Sequence, residues 1–88
     1  MNMCYLCGDT ATDRHHIFNG PMRNKSEEYN AVINVCRECH DLIHKDYDLR
    51  ESLKAEFQHK IMVDFNMSLN QWMETFHKNY LDYWRTDE

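Results

Sequence analysis

The chain has 88 residues, a formal net charge of −5, and four cysteines against two glycines and one proline. That length fits one small domain, and a core of this size is marginal without disulfides, metals or association. The acidic balance argues against the broad basic footprint of most nucleic-acid binders, and no apolar run is long enough to span a membrane.

The chain opens with MNMCYLCGD, which has neither the basic start nor the apolar run of a secretory leader, so a cytoplasmic location is expected. RHHIF (14–18) reads as a short strand, broken by NGP, where glycine supplies turn geometry and proline removes a donor. Arg23 and Lys25 fall in the loop that follows. AVINV (31–35) is rich in β-branched residues and reads as a second strand. CHDLIHKD (39–46) opens a helix. Beyond it, Leu49, Leu53, Phe57, Ile61 and Phe65 recur every four residues as one apolar stripe. Ser68 and Gln71 make a capping box, with Met67 and Trp72 spaced as a hydrophobic staple. A last helix is expected to carry Trp72, Phe76, Tyr80 and Trp84 along one face. Both stripes read as core packing. The whole chain, 1–88, is taken as a single α+β domain, with a metal-organised part at 1–46 and a helical part at 47–88 packed on it.

Cys4-x2-Cys7 and Cys36-x2-Cys39 are separated by 28 residues. Zinc takes four ligands in a tetrahedron, and each CxxC loop offers two sulfurs from one tight turn. The alternatives are two disulfides, which need an oxidising compartment, or a redox CxxC, which needs no second copy. A structural zinc on Cys4, Cys7, Cys36 and Cys39 is therefore expected. A closed Cys4 site has no free position, so it stabilises rather than reacts.

His40 and His44 stand four apart, on one face of the expected helix. Two nitrogens leave room for a third ligand and for solvent or substrate, as in catalytic metal sites. The adjacent histidines of the first strand point to opposite sides, so they do not share one task. With His15 as third ligand, His16 is left as a general base, the usual task of a free imidazole beside a metal. Metal and base together suit phosphodiester hydrolysis. The bland alternatives are a surface HxxxH, a histidine completing the zinc site, or hydrogen-bonded strand histidines. His59 and His77 lie away from the motif and read as surface or core-edge residues.

HHIFNGPMRNKSEEY followed by CRECHDLIH resembles the HNH endonucleases of the His-Me finger, or ββα-metal, class, and in particular small phage-type members with flanking CxxC pairs. Gly20, Arg23 and Ser26 stand at the turn positions of that pattern. FHKNYL (76–81) resembles the end of the same group, where glycine is common at the position of His77. The resemblance implies a small zinc-stabilised ββα-metal finger followed by two or three helices. It implies a divalent ion on His15, His40 and His44, as in colicin-type DNases, with the first ligand often an aspartate in relatives. It also implies His16 as general base, and products with 5′-phosphate and 3′-hydroxyl ends.

The departure is the middle asparagine, which in the family orients the base histidine. Its usual position falls at Ala31, so Asn30, one residue off, is the candidate; Asn34 and Asn19 are further alternatives. Such a shift turns a strand residue to the other face, and a backbone carbonyl would then orient His16. Arg23 and Lys25, with Arg37 and Lys45 as secondary candidates, would contact phosphates. The expected partner is double-stranded DNA, with a homodimer or a phage protein partner adding binding surface. The catalytic ion is Mg2+, Mn2+, Ni2+ or Zn2+, since histidine sites accept several. The alternative function is a non-catalytic zinc module that binds nucleic acid or protein within a phage-type machine.

Overall fold

The computed structural model describes residues 2–85. Two strands, β1 (Asp13–His16) and β2 (Val32–Val35), pair antiparallel, with His15 opposite Ile33 and His16 opposite Val32. Between them the chain makes a 3-10 turn at Gly20–Met22 and then a helix, α1 (Arg23–Glu28). Three helices follow: α2 (Arg37–Lys45), α3 (Tyr47–Asp64) and α4 (Leu69–Phe76). A 3-10 segment, Tyr80–Arg85, ends the described part. The described residues thus form a small α+β fold with one two-stranded sheet. Among the described residues no helix is long and apolar enough to cross a membrane.

Period-two alternation sets the faces of the sheet. Ile33 and Val35 are buried, and their partners across the ladder are His15 and Asp13. Val32 and Asn34 lie on the other face, opposite His16 and Arg14. The expected strand at 31–35 begins one residue later, because Ala31 serves as the hinge out of α1. Its N–H donates to the Ser26 carbonyl, and its own carbonyl accepts from Ile17.

The segment holding Arg23 and Lys25, expected as loop, is helical instead. Ser26 explains why. Its buried hydroxyl donates to the Phe18 carbonyl at 2.7 Å and accepts from the Phe18 N–H at 2.9 Å. That clamp satisfies two backbone groups just past β1 and pins a helical turn against them. Asn30 ends the turn at φ 62°, in the left-handed region that asparagine tolerates.

The break between α2 and α3 is a capping event. Asp46 is extended, and its carboxylate accepts from the Leu49 N–H at 3.1 Å. Leu53, Phe57 and Ile61 of the α3 stripe are buried. Leu49 is partly buried, and Phe65, at the helix end, is half exposed against Tyr29.

The capping box at Ser68 forms as expected: Ser68 accepts from the Gln71 N–H, and the Gln71 side chain accepts from the Ser68 N–H. The single face running from Trp72 to Trp84 is not continuous. His77 takes a left-handed conformation (φ 69°) and stops α4, so Tyr80 lies on the separate 3-10 segment; the side chain of Trp84 lies outside the described residues. Glycine adopts such a cap without strain, whereas here a histidine takes it. Buried Gln58 ties the return segment to α3: its amide donates to Asn79, and its carbonyl accepts from the Tyr80 N–H. Phe18 from the first half packs on Phe76, with ring centroids 4.9 Å apart, and on Trp72 at 5.6 Å. The two halves therefore share one core.

Candidate metal centres

The first cluster is built by two turns. Residues 4–8 form a knuckle in which the Gly8 N–H donates to the Cys4 carbonyl, with Gly8 at φ 85°. The knuckle is tied to β2 by the Tyr5 N–H on the Asn34 carbonyl. The second turn is the start of α2, where Cys36 is the N-cap and its sulfur accepts from the Cys39 N–H. All four cysteines are free thiols, and their sulfurs lie within 4.8 Å of one another. Cys7 and Cys36 sulfurs are 3.7 Å apart. In a zinc tetrahedron with bonds of ~2.3 Å, adjacent sulfurs stand about 3.8 Å apart. The set fits a soft divalent ion such as zinc.

The electrostatics agree. Burial pushes the Cys4 thiol up, but the backbone N–H groups of Cys36, Cys7 and Leu6 outweigh it and bring it down to about 6. Cys39 is raised, first by its hydrogen bond to Cys36 and then by burial. One thiolate among close neighbours discourages the next; a divalent cation removes that obstacle and favours all four.

The second cluster uses one strand and one helix face. His15 of β1 and His40 and His44 of α2 each offer a ring nitrogen, all within 4.8 Å of one another. The Nε2 atoms of His40 and His44 are 3.2 Å apart, against about 3.4 Å for two nitrogens on tetrahedral zinc with Zn–N of ~2.1 Å. His15 stands edge-on to both rings, at centroid distances of 5.4 and 5.7 Å. Burial first, then the neighbouring histidines, holds His15 down to about 4. It is therefore neutral at physiological pH, as a ligand must be.

Asp13, which the sequence reading did not single out, completes this centre from behind. Its Oδ2 accepts from His40 Nδ1 at 2.9 Å. The hydrogen bond to His40 is the main cause that holds its carboxyl below the usual range. This contact leaves the other His40 nitrogen facing its partners, the arrangement that orients metal-bound histidines. The signal was in the pattern: Asp13 and His15 are two apart in one strand and share a face. Arg37 Nε also reaches Asp13, at 3.2 Å.

His16 points to the opposite face and meets α1. Its Nε2 lies 2.6 Å from Glu27 Oε2, and Arg14 reaches the same carboxylate at 3.3 Å. Asn30 is placed elsewhere. It lines a groove of about 200 Å³ with Phe57, Lys60 and Asp64, and the group bonded to His16 is Glu27. Of the candidate phosphate contacts, Arg37 is joined to the histidine centre through Asp13, and Lys45 follows His44 at the exposed end of α2. Arg23 and Lys25 lie on α1, with Lys25 paired to Glu28 at 3.6 Å.

Comparison of this chain with protein-family models, with curated proteins and with solved structures finds no match.

Proposed function

We propose that this chain is a metal-dependent endonuclease of the ββα-metal class that hydrolyses phosphodiester bonds of double-stranded DNA, with zinc on the four cysteines as scaffold. The observation that carries the reading is the convergence of His15, His40 and His44, with Asp13 behind them. These three nitrogens form a set distinct from the four sulfurs and come from β1 and α2, with α1 and β2 between them in the chain. A purely structural zinc module needs the sulfurs alone.

A divalent ion held by the three imidazoles would polarise the phosphoryl group and stabilise the leaving 3′ oxygen. His16 takes a proton from water as the water oxygen attacks phosphorus, the bond from phosphorus to the 3′ oxygen breaks, and the departing 3′ oxygen takes a proton from solvent. The products carry 5′-phosphate and 3′-hydroxyl ends. Arg37, exposed and joined to the histidine centre through Asp13, and Arg14, exposed on the His16 face, would hold flanking phosphates, which positions the strand without reading bases. The −5 net charge makes such binding local and strongly salt-dependent.

The test is plasmid nicking with magnesium, manganese, nickel and zinc, comparing wild type with His16→Ala. Cleavage by the wild type alone is expected. Failure of the wild type with every ion would overturn the reading in favour of a non-catalytic zinc module.

A further inference from the structure

The Asn30 side chain is not what meets His16, and a carboxylate from α1 is. Glu27 Oε2 lies 2.6 Å from His16 Nε2. The Glu27 carboxyl is held below its usual range, first by the His16 hydrogen bond and then by Arg14, so it is ionised and can only accept. His16 Nε2 is therefore the donor in this pair. The Nε2–H tautomer leaves the lone pair on Nδ1.

The position of Glu27 is not an accident of a long side chain on a surface. Its neighbour Ser26 is fully buried and grips both backbone groups of Phe18. Phe18 is two residues past His16 and packs in the shared core. The clamp fixes the start of the connection, and the Ala31 N–H on the Ser26 carbonyl fixes its end. Glu27 is thereby delivered to the face of β1 that holds Arg14 and His16, one β-strand period apart. Arg14 reaches both carboxylate oxygens at 3.3 Å, which restrains the carboxylate a second time.

We propose that Glu27 is the positioning residue of the His16 base: it fixes the Nε2–H tautomer and the ring direction, so that Nδ1 faces the attacking water. This inference rests on the reading of His16 as general base. It assigns to a side chain on α1 the orienting task for which the sequence offers only a displaced asparagine. Removing an orienting carboxylate from a catalytic imidazole leaves the wrong tautomer populated.

Two measurements on the zinc-loaded chain test it. Nitrogen–proton correlation spectra report the tautomer of His16 directly, without activity. The wild type should show Nε2–H, and Glu27→Ala should show a mixture. In nicking kinetics, Glu27→Ala should lower kcat roughly 100-fold with KM little changed. Glu27→Gln, whose amide oxygen still accepts, should recover most of that loss. In a His16→Ala background, Glu27→Ala should cost nothing further. An Nδ1–H tautomer in the wild type overturns the proposal. So does a Glu27→Gln variant as slow as Glu27→Ala, or an additive loss in the double variant. If the wild type nicks nothing, the nuclease reading fails separately, and the tautomer still decides whether Glu27 sets His16.

Discussion

The cysteine cluster and the histidine cluster share α2, where Cys36 and Cys39 open the helix and His40 and His44 continue it, yet they are built on opposite plans. Each sulfur pair closes its own tight turn, and the two turns together supply four sulfurs, the number a tetrahedral ion takes. The ligands are fixed by backbone, through the Gly8 N–H and the Cys39 N–H. The histidines come as three, on regular elements, with His44 exposed and His15 buried. One of them, His40, is fixed by a side chain, Asp13. A set that fills every position resists exchange, whereas a set of three leaves room for solvent or a phosphate. The first plan suits folding energy and the second suits chemistry.

The largest expected effect follows from that contrast. Structural zinc contributes roughly 10–16 kcal/mol of apparent binding free energy in small modules, while a whole domain is stable by only about 5–15 kcal/mol. Cys36→Ala, or chelation of the wild type, should therefore abolish the cooperative melt. His44→Ala, at an exposed position, should shift stability by no more than about 0.5 kcal/mol. Thermal unfolding beside zinc content checks both. A Cys36→Ala protein with a cooperative melt would erase the distinction between the clusters.

The second effect belongs to the histidine side alone. His16→Ala should keep one zinc per chain and its melt, and should slow nicking by about 10²–10⁴-fold, the range for loss of a general base. Equal cleavage by this variant would remove His16 from the chemistry. The comparison would then rest on the ligands only.

What was legible in the sequence follows the range of the interactions. Ligand spacing within one turn or one helix is local, so Cys4 with Cys7, Cys36 with Cys39, and His40 with His44 could be paired from numbers alone. The Ser68 capping box is local too. The Ser26 clamp on Phe18 spans eight residues through space, and nothing in RNKSEE announces it. Without that clamp RNKSEE reads as loop, and nothing local in it places Glu27 against His16. The continuous Trp72-to-Trp84 face failed for another reason. Helical period cannot register a left-handed residue that is not glycine, and His77 is one. Asn30 is expected at the start of the strand, but it closes α1 instead, with Ala31 as the hinge. The side-chain period of the strand starts after both.

The smallest effect concerns Asp13, and it separates an organised metal centre from a surface ion pair. Asp13 touches two partners, and they predict different things. The pair with Arg37, whose side chain is 76% exposed, is worth little in water. The bond to His40 fixes which imidazole nitrogen is left for an ion. If the Arg37 contact were the reason for Asp13, Asp13→Ala and Arg37→Ala should behave alike, and neither should alter ion binding at the histidines. If the His40 contact is the reason, Asp13→Ala should weaken that binding about 10–100-fold, while zinc on the cysteines is retained. Asp13→Asn should fall between, because its amide oxygen still accepts from His40 Nδ1 but carries no charge. Titration of manganese or nickel into the zinc-loaded chain measures all three variants. A shared loss in Asp13→Ala and Asp13→Asn, absent in Arg37→Ala, makes the carboxylate part of the centre. Unchanged affinity in Asp13→Ala would reduce the histidine cluster to three rings that happen to meet.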